Sequence, residues 1–400
     1  LEFSASGDSV LVGPGDYPVS DLVLPSGVTL AALSSNPDDF PRLIGSGIKS
    51  ILNCDNQAVG TLIKGLIFVG GNSGLDYSPV RGHGIKVKDS SAVISDCTFL
   101  GLKAAYGGAI YVGEGRAPTI VNCEFNANEA FACGGAIAAV GATGLEITSC
   151  LFEDNTATNG GSVLNAALRT SAIFGRCTLV SNGTEGTGDI QAWARSVVEV
   201  SECIISGSTG RAIYSDFNGT PLIQCSDLSG NAGGDWVGSL ADQAEQNGNI
   251  SLPPVFCGAE GTDGPYSLAE DSPCNAVCGI MGAFEIGCSA ATDLGTPDIS
   301  SADGQALPAV TRLRGNYPNP FNPQTTIAFD MSQPGHARVD VYDLAGRLVR
   351  NLHSGVLAAG PHQVMWNGRG AEGRMSAAGI YFFRLKTELV TDTQRMTLVK

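Results

Sequence analysis

The sequence predicts an all-β chain in two parts, a long repetitive solenoid followed by a small antiparallel β-sandwich. Three observations predict it. A phrase built around a cysteine recurs at near-constant spacing from Cys97 to Cys225. Charged residues make up only 16% of the chain while 53 of its 400 residues are Gly, which suits many short strands joined by turns better than long solvated helices. Beyond the repeats, alternating strand-like runs take over. The length alone points to more than one domain.

The repeat fixes the first part. Cys97, Cys123, Cys150, Cys177, Cys203 and Cys225 lie 26, 27, 27, 26 and 22 residues apart, in the phrases VISDCTF, TIVNCEF, EITSCLF, IFGRCTL, EVSECII and LIQCSDL. An apolar residue stands three before each Cys (Ile94, Ile120, Ile147, Phe174, Val200, Leu222). In the first five phrases another stands two after (Phe99, Phe125, Phe152, Leu179, Ile205). A small polar residue follows five after the Cys (Asn128, Asn155, Asn182, Ser208), then a glycine-led run such as GGAIYV at 107–112 or GGAIAAV at 134–140. LIKGLIFVGG at 62–71 reads as an earlier turn with Leu66 in the Cys position.

Side chains alternate along a strand, so the Cys and the residue two later share a face while the residue three before does not. That mismatch requires a bend between two short strands. Each unit therefore reads as strand, bend, strand, polar turn, glycine turn, strand. One unit cannot bury its apolar side, but stacked units share a continuous core. Stacking turns the Cys positions into an interior column and the Asn positions into a ladder of amides.

These phrases resemble the right-handed parallel β-helix family, the fold of pectate lyases and of many repetitive bacterial surface proteins. The resemblance covers residues 1–288. The opening SASGDSVLVGPGDYPVSDLVLPSGVTLAAL is similar to the first coils of such proteins, and YSLAEDSPCNAVCGIMGAFEIGC at 266–288 to their closing segment.

The six-member Cys column reads as buried small side chains, since free Cys is among the most buried residue types. Catalytic and metal-binding columns are the alternatives, although paired zinc spacing is missing from the column. Cys257, Cys274, Cys278 and Cys288 lie beyond the repeats, where a solenoid end needs tying down, and two disulfides among them are expected. Their pairing stays open.

Residues 289–312, small, polar and Pro-containing, read as a flexible linker. After them, TTIAFDM, ARVDVYD, HQVMWN, GIYFFRLK and QRMTLVK are strand runs separated by Gly- and Pro-containing turns. Several short strands in so few residues indicate an antiparallel sandwich of immunoglobulin type over 313–400. The motifs resemble the type A C-terminal sorting domain of the type IX secretion system, the Ig-like module also found in flagellar hook-capping proteins. The lead is Asn316, Tyr317, Pro318, Asn319, Pro320, Phe321, Asn322 and Pro323. Tyr342, Asp343, Gly346 and Arg347 carry the second motif, Trp366 the third, and Gly379 and Tyr381 the last, where Ala378 replaces the usual Ser. The resemblance implies outer-membrane secretion machinery as partner and release to, or retention on, the surface of a Gram-negative bacterium. An Ig module without a sorting role is the alternative. Leu1 is not an initiator Met, so a preceding segment with any export signal is expected.

Charge and chemistry leave function open. Residues 1–290 hold 12 Lys+Arg against 30 Asp+Glu, whereas 291–400 hold 11 against 9. The acidic body repels nucleic acid and anionic membranes, and polyanionic polysaccharide as well. Its plainest reading is solubility. No apolar run is long enough for a membrane-spanning helix. A lyase would need acidic Ca²⁺ ligands beside an Arg or Lys base on one groove. The candidates are Arg81, Lys86, Lys88, Asp89 and Asp96, with His83 nearby, in the widest gap between turns. Arg176 with Glu153, Asp154 or Glu202 is a second combination. The alternative reading is ordinary cross-coil charge pairs. No metal-ligand spacing is visible and no cofactor is expected, Ca²⁺ entering only with the lyase reading. Tyr111, Trp193 and Tyr214 are candidate sugar-stacking residues, with Tyr106 and Trp236 beside them. Flank packing is the alternative. The leading expectation is a non-enzymatic protein that binds polysaccharide or a surface protein on its long face. The alternative is a polysaccharide lyase or glycoside hydrolase.

Overall fold

The computed structural model describes residues 4–57, 60–70, 81–183, 188–258, 264–275, 278–288, 311–317, 321, 323, 325–331, 335–343, 347–357, 360–370, 374–387 and 390–399. The chain divides into two compact units, Leu1–Leu294 and Gly295–Lys400. Apart from Thr311 and Arg312, the linker expected at 289–312 lies outside the described residues. Among the described residues no helix is long and apolar enough to cross a membrane.

The first unit is a parallel β-solenoid with three faces. The first face has nine strands, from Ser9–Val12 to Thr220–Gln224, and the second nine, from Asp16–Pro18 to Asp227–Ser229. The third has eight, from Leu22–Val23 to Arg211–Asp216. Registers run straight up each face: Ile63, Ile94, Ile120 and Ile147 on the first, Phe68, Phe99, Phe125 and Phe152 on the second. The four phenylalanines are fully buried and stack face to face, with ring centroids 4.9, 4.7 and 4.6 Å apart. Each pair adds about 0.5–1.5 kcal/mol to its area burial. Leu179 continues the second face and ends the stack.

The bend between the first two faces is two residues wide, the second of them the column Cys. The residue before each column Cys is left-handed: Asp96 (φ 53°), Asn122 (53°), Ser149 (51°), Arg176 (51°) and Glu202 (54°). Such a φ costs a non-glycine residue roughly 1–2 kcal/mol, and the column Cys offsets it locally. The Cys97 thiol donates to the Ser95 carbonyl (3.2 Å), and its backbone N–H is taken by the sulfur of Cys123 (3.5 Å). Cys97, Cys123, Cys150, Cys177 and Cys203 are all buried. Burial pushes the Cys97, Cys123, Cys150 and Cys177 thiols well above their ordinary range, which makes them poor nucleophiles.

Cys225 is a correction to the column. Val200 pairs with Ile223, not Leu222, and the Cys203 N–H is held by Ser226 Oγ at 3.1 Å. The last phrase is shifted by one residue. Ser226 takes the interior place, Leu222 is 48% exposed, and Cys225 sits at the left-handed bend (φ 47°). From there it bonds to Cys278, while Cys257 bonds to Cys288. Two bridges form, but Cys274, expected in one of them, is a free buried thiol. It packs with Ile204, Leu268 and Met281 under the closing segment, where its sulfur meets Asp227 Oδ2 at 3.6 Å.

The Asn ladder forms as expected. Asn128 Nδ2 donates to Asn155 Oδ1 (2.9 Å) and Asn155 Nδ2 to Asn182 Oδ1 (3.0 Å), all three buried. The Gly-Gly turn that follows has a steric cause. Gly107 and Gly134 have φ of 63° and 72°, and a Cβ on either would collide with a carbonyl of its own turn.

In the second unit, Arg312–Tyr317, Thr325–Met331 and Gly360–Trp366 form one antiparallel sheet. Leu348–Leu357, Gly335–Tyr342, Gly379–Lys386 and Thr391–Leu398 form the other. Phe321, 1% exposed, packs against Trp366 (5.5 Å), which meets Tyr381 edge-on (5.0 Å). Trp366 Nε1 donates to the Arg369 carbonyl (2.9 Å), and the Tyr381 hydroxyl to that of Ala377 (2.7 Å). Arg347 and Asp343 close a turn by an ion pair of 2.8 Å. Of the motif positions, Pro318, Asn319, Pro320, Asn322 and Gly346 lie outside the described residues.

Candidate functional site

The left-handed bends also line a cleft of about 840 Å³ along the corner between the first two faces. Lys64, Gly65, Asp96, Asn122, Glu124 and Ser149 lie along its floor, on four successive coils. At about 4.8 Å per coil that is roughly 14 Å of floor. One end is walled by residues 33–40, which include a short 3₁₀ turn, Pro37–Asp39, entered from Asn36. The other is walled by residues 283–285 of the closing segment. That wall is pinned: Ala283 N–H donates to Thr178 Oγ1 (2.9 Å), Gly282 N–H to the Glu202 carbonyl (2.7 Å), and Arg176 pairs with Glu285 (2.7 Å).

Most charges in and beside the cleft are already partnered. Asp96 accepts from Asn122 Nδ2 (2.6 Å) and faces Lys64 Nζ (3.5 Å). Glu153 accepts from Asn126 Nδ2 (2.8 Å) and from the Tyr266 hydroxyl. Glu124 is different. Lost hydration and then the Glu153 carboxylate raise its pKa above the ordinary range, so it holds its proton to higher pH than a free Glu.

The five residues expected to form a lyase groove do not converge. Arg81 lies over the rings of Tyr106 (5.7 Å) and Tyr111 (5.3 Å) and donates to the Tyr111 hydroxyl (3.3 Å). Lys86 pairs with Asp55 (3.1 Å) on the third face. Lys88 is exposed at the end of its strand, and Asp89, in the turn that follows, pairs with Arg116 (3.1 Å). Asp96 alone reaches the cleft. Lys86 and Lys88, two apart on one strand, share the outer side of the third face, and Arg81 reaches Tyr111, the register partner of Lys86. Asp89 and Asp96 lie in the next turn and at the bend between the first two faces, which parts the acids from the bases. His83 is a core residue. Its Nε2 accepts from Gly47 N–H (3.2 Å), and burial lowers its pKa to about 4. Residues 71–80 of the expected insertion lie outside the described residues. Among the described residues no three His, Cys, Asp or Glu side chains converge as metal ligands.

The stacking candidates share the third face. Tyr111, Ala138, Asn165, Gln191 and Tyr214 form one column. Tyr111 is only 9% exposed and is engaged by Arg81. Tyr214 lies under the Arg211 guanidinium (5.3 Å) and donates to Asp216 (3.1 Å). Trp236 packs against the core. Trp193 remains open, and Phe217, which sequence reading missed, meets it edge-on at 5.7 Å. The signal for Phe217 was its place in a repeated turn.

Two family profiles match the chain. One is described as right handed beta helix region, over residues 50–249, and the other as FlgD Ig-like domain, over residues 316–389. No curated protein matches. Among solved structures, dimeric latent PorU from Porphyromonas gingivalis is 20% identical with a TM-score of 0.21, over 22% of this chain and 9% of that one. PorZ of the same organism, titled an essential bacterial surface component of its type-IX secretion system, is 25% identical with a TM-score of 0.17, over 21% and 11%. The chain thus spans about a tenth of the length of those proteins, and superpositions of that quality assign no role to its residues.

Proposed function

The chain belongs to the right-handed β-helix family, and on that premise we propose that it is a secreted or surface-held solenoid that binds glycan or protein without turning it over. The observation that carries this reading is the cleft, which is long, walled at both ends and floored by polar side chains. Lys64, Asp96 and Asn122 already satisfy one another there, an arrangement suited to fixed hydrogen-bonding positions rather than proton transfer. The C-terminal Ig-like unit is proposed to act as the type IX sorting domain, with the outer-membrane secretion machinery as partner. The motif residues Phe321, Trp366 and Tyr381 support this as the anchors of one core.

A second reading is supported by Glu124. A carboxyl with a raised pKa that shares its cleft with a second carboxyl, Asp96, is the pairing a glycoside hydrolase uses.

A polysaccharide panel separates these readings. Retention of a polymer with no reducing-end or unsaturated products supports binding. Turnover that Glu124→Gln abolishes would replace it with hydrolysis, and Ca²⁺-dependent unsaturated products with a lyase. For export, the full chain and a chain lacking 313–400 are expressed in a host with the secretion system. Equal appearance of both at the surface would remove the sorting role.

A further inference from the structure

Where the third face turns into the first, the same tight turn occurs on three successive coils. Its residues are Leu168–Arg169, Ala194–Arg195 and Phe217–Asn218, all left-handed, with φ of 55° and 64°, 51° and 64°, 49° and 63°. The turns stack in register, with Arg169 N–H donating to the Ala194 carbonyl (3.0 Å) and Arg195 N–H to that of Phe217 (3.1 Å). Buried hydroxyls hold them from beneath. Thr170 N–H donates to Ser196 Oγ (3.1 Å), which donates to the Trp193 carbonyl (2.7 Å). The six turn residues line an open pocket of about 540 Å³. The coil repeat sets the two arginine positions about 4.8 Å apart along the axis.

These arginines stand out against the charge of their surroundings. In a body with 12 basic and 30 acidic residues, Arg42, Lys49, Lys64, Lys86, Lys103, Arg116 and Arg176 are each paired with a carboxylate. Arg81 and Arg211 lie over tyrosine rings. Among the described residues, Arg169, Arg195 and Lys88 form no ion pair, and of these Lys88 lies within the field of the Asp89 carboxylate. Asp216, level with Trp193 one coil on, is occupied by the Tyr214 hydroxyl and the Phe217 N–H. Beside the exposed arginines stand Phe217, 64% exposed, and the edge-on Trp193, 36% exposed.

We propose that this turn stack binds an anionic glycan. The two guanidinium forks take sulfate or carboxylate groups of the sugar chain, and Phe217 and Trp193 take the apolar face of a ring. A guanidinium presents a planar fork that fits an oxyanion in two-point fashion. Two unpaired cations on adjacent coils repel each other, and a bound oxyanion relieves that repulsion. The pocket is open and repeats along the axis, which fits a linear polymer. Repulsion from the acidic body is screened beyond about 8–10 Å at physiological salt, so the local arginines dominate at contact. This site lies apart from the cleft and rests on the glycan-binding reading, whose ligand class it names.

The test uses the full chain with dextran sulfate, alginate and neutral dextran in affinity electrophoresis. The variants are R169Q/R195Q, which removes both charges, R169K/R195K, which keeps them without the forks, and F217A. All the replaced side chains are exposed, so an unchanged Tm verifies folding. Wild type is expected to be retarded by an anionic polymer and not by dextran. Dextran sulfate or alginate then identifies the group as sulfate or carboxylate. The Gln variant should lose about tenfold or more in affinity, as expected when charge-assisted bonds are removed, and the Lys variant should recover only part. Equal retardation of wild type and the Gln variant overturns the site. Retardation by dextran alone also overturns it and leaves glycan binding standing. No retardation by any of the three polymers, with no retention on a wider glycan panel, overturns both.

Discussion

The backbone N–H of Cys203 is held by the hydroxyl of Ser226, 3.1 Å away, at the place where Cys97, Cys123 and Cys177 use the sulfur of the next coil's cysteine. The column position therefore needs a small side chain that both donates and accepts. The Ser226 hydroxyl donates to the Gln224 carbonyl (2.8 Å) as the Cys150 thiol does to that of Thr148 (3.2 Å). Cys150→Ser is expected to change stability by less than about 1 kcal/mol, whereas Cys150→Val, which removes the polar partner and adds bulk, should cost about 1–3 kcal/mol. Urea unfolding of the two variants checks this, and equal losses would reduce the column to simple packing.

Asn155 carries more of the ladder than its neighbours on the surface. Its Oδ1 accepts from both the backbone and the side chain of Asn128, and its Nδ2 reaches the Phe125 carbonyl at 2.9 Å. Asn155→Ala strands these groups in the interior and should cost about 2–4 kcal/mol, while the exposed Asn122→Ala should cost about 1 kcal/mol or less. Denaturation midpoints of the two variants measure the difference.

Asp189 is fully buried, accepts from Ser162 Oγ (2.8 Å) and from Ser208, and has its pKa raised to about 7, burial being the main cause. The folded state then binds its proton more tightly than the unfolded chain does. Stability from this group is complete below about pH 4 and is lost as pH rises towards 7, by up to about 1.4 kcal/mol per pH unit. Asp189→Asn removes the slope, so its stability relative to wild type should climb between pH 4 and 7. A flat difference over that range would show that Asp189 does not titrate there.

The solenoid end is tied by Cys225–Cys278 and Cys257–Cys288. Peptide mapping without reductant should recover these two pairs and leave Cys274 free. Cys257→Ser/Cys288→Ser should cost about 2–4 kcal/mol, and Cys274→Ser should leave both bridges intact. A bridge to Cys274 would contradict the structure.

In the C-terminal unit, Phe321 fills the space beside Trp366 and is tied on both sides of its backbone, its N–H to the Thr397 carbonyl and its own carbonyl to the Val399 N–H, both at 2.9 Å. Phe321→Ala should destabilise that unit by about 3–5 kcal/mol. Loss of its cooperative thermal transition, with the solenoid transition unchanged, is the expected record in calorimetry.

The sequence by itself determined the coil and its contents. Ile94, Cys97, Phe99 and the Asn ladder were legible because each coil of a solenoid packs on its neighbours, so a local pattern repeated at a fixed period dictates the whole core. The one-residue slip at Cys225 escaped because a phrase whose apolar positions allow two registers does not show which is buried. Only the tertiary structure decided which side chains meet away from that lattice. The cleft exists because residues 33–40 and 283–285, far apart in the chain, wall the same corner. Cys225 lies outside the column, where the closing segment brings Cys278 to it. Arg169 and Arg195 looked like any other arginines until Asp216, level with Trp193 one coil on, proved to be engaged by Tyr214 and Phe217. Spacing encodes what stacks, while long-range packing and charge pairing depend on where non-repeating segments come to rest.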